Sequence, residues 1–252
     1  MQPLLLLLTL FLSLRAEAGE IIGGHETKPH SRPYMAFIQY WNGSDRKRCG
    51  GFLIREDFVL TAAHCQGSPI NVTLGAHNIN KPEKTWQVIP VRNAIPHPEY
   101  NRKDYSNDIM LLQLNTKAKQ NKLVKTINLP KRKTHVRPGQ VCHVAGWGKT
   151  TPNGKLSDTL RELELTVQKD EICKSSYPTY KNDIEMCVGD EKTRKSSFQG
   201  DSGGPLVCKN VAQGIVSHGK PQGPTPQVYT KISSFLSWIK ETMRRRQLQE
   251  VD

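Results

Sequence analysis

Beyond residue 18 the chain has no apolar run approaching the ~20 residues a membrane-spanning helix requires, so no helical span is expected in its body. Acidic side chains are few: 23 Asp and Glu stand against 36 Lys and Arg, a formal net charge of +13. That balance gives a solvated basic surface and points to a polyanionic partner. Cysteines are few too, six in all at 49, 65, 142, 173, 187 and 208, and none forms a C-x-x-C pair. A structural zinc site is therefore not expected, and nothing in the sequence asks for a metal or cofactor. No internal repeat is visible.

What is present begins with residues 1–18, a leader-like segment with a short apolar core at residues 4–12 and the small-residue end Ala16-Glu17-Ala18. This pattern predicts a secretory signal cleaved after Ala18. An even cysteine count suits the oxidising compartment such a route leads to, although six cysteines alone allow about 15 pairings. Asn42-Gly-Ser and Asn71-Val-Thr are glycosylation sequons. Basic clusters at residues 46–48, 131–133, 192–195 and 244–246 make sulfated glycan the expected polyanion for a secreted chain, rather than nucleic acid.

The stretch Phe198-Gln-Gly-Asp-Ser-Gly-Gly-Pro205 reads as a sharp exposed turn, because glycine admits backbone conformations that side chains forbid. At its apex Ser202 would be presented to a ligand, with the N–H groups of Gly200 and Ser202 aimed at negative charge on an attacked carbonyl oxygen. A serine hydroxyl needs a base, and the base needs an orienting carboxylate. His64 is set beside Cys65, and pairing Cys65 with Cys49 would close a loop of about 15 residues and fix the histidine in place. Asp108 sits at the mouth of the apolar run Ile-Met-Leu-Leu-Gln-Leu, placed to be desolvated against an imidazole. If Ile21 became the mature N-terminus, its ammonium would need a buried carboxylate, and Asp201 is the candidate.

Most of the chain is short apolar runs with Gly and Pro punctuation: 52–54, 58–60, 71–77, 89–95, 109–114, 141–145, 163–167, 206–208, 214–217 and 228–231. They predict an all-β barrel or sandwich fold. Residues 117–133 read as a link between two halves. Helix is expected only at the end, capped by Ser233 or Ser234, with Phe235, Trp238, Ile239, Thr242 and Met243 on one face.

His64, Asp108 and Ser202 follow the chain order of a Ser-His-Asp triad. Together with Ile-Ile-Gly-Gly, Thr-Ala-Ala-His-Cys, Ser-Asn-Asp-Ile-Met-Leu-Leu, Ala-Gly-Trp-Gly and Gly-Asp-Ser-Gly-Gly-Pro, they resemble the chymotrypsin/trypsin-like serine proteases from Ile21 to the terminal helix. Phe198, where most of that family has cysteine, the Gly19-Glu20 dipeptide, and the stretches at 29–35, 72–79 and 211–217 are similar to the granzyme and mast-cell chymase branch, granzymes B and C above all.

The resemblance implies two packed six-stranded antiparallel β-barrels, at about 21–127 and 128–232, and a C-terminal α-helix at about 234–246. It implies pairing of Cys49 with Cys65, Cys142 with Cys208 and Cys173 with Cys187. Ser196 would lie at the base of the primary pocket, Ser217-His218-Gly219 along one wall and Gln227 across from them. No carboxylate stands at the base, and granzyme B has arginine where this chain has Gln227. Cleavage after Lys, Arg or Asp is therefore disfavoured against neutral residues, whether apolar, aromatic, Asn or Ser. A granule-stored monomeric endopeptidase is implied, trimmed by a dipeptidyl peptidase, held on sulfated proteoglycan, met by serpin inhibitors, and acting on proteins in target-cell killing. A chymase-like mast-cell protease and a catalytically silent cationic glycan-binding relative are the alternative readings.

Overall fold

The computed structural model describes residues 24–131, 136–150, 154–189, 193, 196–197, 199–220 and 226–248. The leader, Gly19-Glu20, Ile21 and Phe198 lie outside the described residues.

After a two-residue strand β1 (His25–Glu26), six strands form a closed antiparallel barrel: β2 (Met35–Asn42), β3 (Asp45–Arg55), β4 (Phe58–Thr61), β5 (Ile70–Leu74), β6 (Gln87–Pro96) and β7 (Met110–Leu114). Their order around it is β2-β3-β4-β7-β6-β5. The β2–β3 hairpin pairs Met35 with Phe52 and Asn42 with Asp45, and Gly43 at φ +62° supplies the left-handed residue its tight turn needs. β4 and β7 are buried along their whole lengths and on both faces, so Phe58, Leu60 and Leu111 pack on one side of the sheet and Val59, Met110 and Leu112 on the other.

The second half forms a seven-stranded sheet from β1 with β8 (Val141–Gly146), β9 (Arg161–Thr166), β10 (Glu185–Val188), β11 (Pro205–Cys208), β12 (Val211–His218) and β13 (Gln227–Lys231). Its order is β1-β9-β8-β11-β12-β13-β10. Residues just past β9 bridge back to β10 at Val167 and Val188, bringing opposite ends of the six-strand run together. β1 is the seventh strand, an edge added from the first half by pairing His25 with Glu162. Two further contacts tie the halves. Val207, Ala212, Ile215, Phe235 and Ile239 complete the first barrel's core, and Met35 and Phe37 pack with Ala145, Trp147 and Leu160.

Helix is not confined to the end. A seven-residue helix α1 (Asp170–Ser176) follows β9, with Asp170 and Glu171 in its first turn and Lys174 in its last. Cys173 is its one buried residue, so two turns bear no periodic apolar stripe for a sequence reading to find. The terminal helix α2 (Leu236–Leu248) continues from a 3-10 turn at Ile232–Phe235. Ser233 and Ser234 lie inside that turn rather than capping it, and the Ser234 hydroxyl donates to the Asp183 carbonyl at 2.5 Å. Disulfides join Cys49 to Cys65, Cys142 to Cys208 and Cys173 to Cys187.

Candidate active site

His64 occupies the 3-10 turn Ala63–Cys65 that closes β4, and the Cys65–Cys49 bridge pins this turn to β3. Its backbone N–H donates to Asp108 Oδ1 at 2.9 Å, and its Nδ1 lies 2.7 Å from Asp108 Oδ2. An ionised carboxylate only accepts, so the ring proton sits on Nδ1 and Nε2 is left as the basic nitrogen. Asp108 is 1% exposed. It is reached from the second half as well: Ser217 Oγ donates to Oδ2 at 2.6 Å, and Thr230 Oγ1 donates to the Asp108 carbonyl at 2.7 Å. Burial by itself raises the Asp108 carboxyl. The facing His64 ring and the hydrogen bonds from His64 and Ser217 outweigh it and hold the group below its ordinary value.

Ser202 is brought to this region by its backbone. Gly50 N–H donates to the Ser202 carbonyl at 2.8 Å. Gly203, at φ +81°, packs so closely on Thr61, Gly50 and Ala62 that any side chain there would strike them. The serine turn is thus seated on the segment leading directly into His64. Two carbonyls of the turn are tied down: Gln199 O accepts Lys149 N–H at 2.8 Å and Asp201 O accepts Gly204 N–H at 2.9 Å. Gly200 has φ +103°, which only glycine adopts readily.

Asp201 is fully buried and its Oδ1 accepts Gly148 N–H at 2.8 Å. Gly146 and Gly148 have no side chains because the Asp201 carboxylate fills that space; a Cβ on Gly148 would lie 2.5 Å from it. This explains the glycines of the Ala-Gly-Trp-Gly motif, whose part the sequence did not reveal. Ile21, the partner expected for Asp201, lies outside the described residues.

Beside Ser202 opens a pocket of about 200 Å³ lined by Ser197, Gln199, Val216, Ser217, His218, Gly219, Lys220 and Gln227. Ser196 does not line it; it is 3% exposed and its Oγ donates to the Ser197 carbonyl at 2.8 Å. Ser197, which the sequence reading passed over, grips Gln227 at both ends of its amide. Ser197 Oγ bonds Gln227 Oε1, and Gln227 Nε2 donates to Ser197 O at 2.7 Å. Tyr229 OH lies 2.7 Å from the same hydroxyl. Gln227 presses against Gly219, where an added Cβ would meet its Cγ at 2.9 Å.

Asn42 is exposed at the β2–β3 turn, whereas Asn71 is half-buried within β5. Among the described residues one trio has metal-ligand types close together, Cys49, His64 and Cys65. Its two sulfurs are bonded to each other and offer no thiolate.

A hydroxyl on a glycine turn, a histidine bonded through its ring and its backbone N–H to a buried carboxylate, and a pocket beside them, set on a barrel and a second sheet, define a serine protease. The Trypsin family matches residues 21–239, and the chain belongs to it. Within that family it is 62% identical to granzyme B of Homo sapiens over 246 residues, 97% of this chain and 100% of the relative. It is 58% identical to granzyme C of Mus musculus over 97% of this chain and 99% of that one. A solved structure of GrC, 57% identical, superposes with a TM-score of 0.87 and covers 89% of this chain and 100% of that chain. The chain is a granzyme-type serine endopeptidase.

Proposed function

We propose that Ser202 is the nucleophile, His64 its general base and then acid, and Asp108 the group that orients the imidazole and stabilises its cation. The observation that carries this reading is the double hydrogen bond from His64 to a carboxylate shielded from water. Ser202 Oγ attacks the peptide carbonyl carbon while His64 Nε2 takes its proton. The oxygen that gains charge is held by Gly200 and Ser202 N–H. Collapse expels the amine, which leaves with the proton from His64, and water repeats the sequence on the acyl-enzyme. A fluorophosphonate probe tests this: the mature chain should be labelled stoichiometrically and Ser202→Ala not at all, and labelling of Ser202→Ala would refute it.

The protease domain is taken as residues 21–252, released by removal of the leader and of Gly19-Glu20 by a dipeptidyl peptidase. The Ile21 ammonium then pairs with Asp201 and orders the Gly200 turn. A chain retaining the dipeptide should react slowly with acylating reagents; equal rates would dismiss this switch.

Cleavage is proposed after neutral residues. Gln227, held by Ser197, supports it by presenting an uncharged amide to the pocket, and no carboxylate stands among the described residues that line it. Storage in secretory or cytolytic granules and action on target-cell proteins, with serpins as inhibitors, follow from the granzyme likeness. Sulfated proteoglycan as the storage partner is supported by Arg46, Lys47, Arg48 and Lys149, which line one groove.

A further inference from the structure

Ser217 has one hydroxyl proton, and it goes to Asp108 Oδ2 at 2.6 Å. Its oxygen is left as an acceptor toward His218 Nδ1, 3.1 Å away. That bond requires the hydrogen on Nδ1, so neutral His218 has a bare lone pair at Nε2. The ring is neutral over the working range. Burial pushes it down to about 4, with His64 adding to the effect and Asp108 and Asp104 opposing it. Nor can it swing freely: it stacks on Tyr105 at 5.0 Å between centroids and meets Tyr177 edge-on at 5.7 Å. Tyr105 in turn packs edge-on against His64. No described residue hydrogen-bonds Nε2, and His218 lines the cleft beside Ser202 and Gln227.

The same chain of bonds that orients Asp108 thus fixes an acceptor on the wall of the substrate cleft. We propose that His218 is a specificity-determining residue whose Nε2 accepts a hydrogen bond from a substrate side chain flanking the pocket residue. Peptides with a neutral donor there, such as Thr, Ser, Gln or Asn, are preferred to those with a hydrocarbon or carboxylate of the same shape. This rests on the protease reading above and goes beyond it, since nothing in the Ser202 chemistry requires it.

The test uses the mature enzyme and peptides that differ only as Thr against Val, or Gln against Glu, at each of three positions on either side of the cleaved bond. At one position Thr and Gln should give about fivefold higher kcat/KM, the worth of one neutral hydrogen bond. In His218→Phe, which keeps a ring against Tyr105, the ratio should fall to about one while fluorophosphonate titration still reports a full complement of active sites. Ser217→Ala, which frees the imidazole to change tautomer, should weaken the ratio too, whatever it does to overall rate. Equal rates for both pairs at every position in the unmodified enzyme overturn the proposal without reference to any variant. So does a preference that survives His218→Phe. Cleavage of no peptide, with no labelling of Ser202, would instead defeat the protease reading and this inference with it.

Discussion

His64 and Asp108 are joined twice, ring to Oδ2 and backbone N–H to Oδ1, at 2.7 and 2.9 Å. The backbone bond fixes where the carboxylate stands, and the ring bond fixes which nitrogen of His64 is basic. Asp108→Asn should therefore leave the fold intact and present the wrong tautomer to Ser202. We expect kcat at neutral pH to fall by about 10⁴-fold with KM little changed. Steady-state kinetics on one peptide substrate checks this, and a loss under tenfold would mean that the carboxylate does not set the tautomer.

The Asp201 carboxylate leaves no room for a side chain at position 148. Gly148→Ala should displace Asp201 and, with it, the adjoining turn that carries Gly200 and Ser202. The expected result is a folded, disulfide-intact protein whose fluorophosphonate labelling is slowed by about 10²-fold or more, the cost of losing an oxyanion donor. Labelling at the unmodified rate would show that the motif's glycine serves only packing.

Gln227 offers the pocket an amide and no charge. Gln227→Arg should replace it with a cation, reached by a substrate carboxylate at the same depth. The ratio of kcat/KM for Asp over Leu in the cleaved position should rise by about a hundredfold, in line with a charge-assisted hydrogen bond. Profiling on a peptide library reads it directly, and an unchanged ratio would place the determinant elsewhere.

Glu185 is buried on β10, with Oε2 accepting Lys181 N–H at 2.7 Å and Oε1 without a hydrogen-bond partner among the described residues. Burial pushes its carboxyl up to about 7, reinforced by Asp104 and Asp183 and opposed by the Lys181 hydrogen bond and charge. The folded state thus binds more protons than the unfolded chain between roughly pH 4.5 and 7. Stability should fall as pH rises through that window, and Glu185→Gln should remove this dependence. We expect the variant to melt about 3 °C or more above the parent at pH 8 and level with it near pH 4. A gap that is the same at both pH values would contradict the assignment.

How far the sequence carried depends on what each residue's surroundings write locally. Asp108 and Ser202 were legible because each stands in an unusual short string, and His64 because a cysteine holds it. The barrel strands 58–61 and 110–114 were legible as apolar runs between turns. β2 was passed over although it is almost wholly apolar, since burial on both faces erases the alternation that marks a strand. Ser197 and Thr230 were missed because their partners, Gln227 and Asp108, lie 30 and 122 residues away. Nothing local distinguishes them from other hydroxyls. The same distance hid the reason for Gly146 and Gly148, which is a side chain more than fifty residues downstream.

Ser202→Ala, His64→Ala and the double variant, assayed together on one peptide substrate, test the account most directly. If the hydroxyl and imidazole act as one unit, each single change lowers kcat by about 10⁶-fold and the pair together loses no more than either alone. Single variants that keep a tenth of the activity, or losses that multiply in the pair, would contradict it.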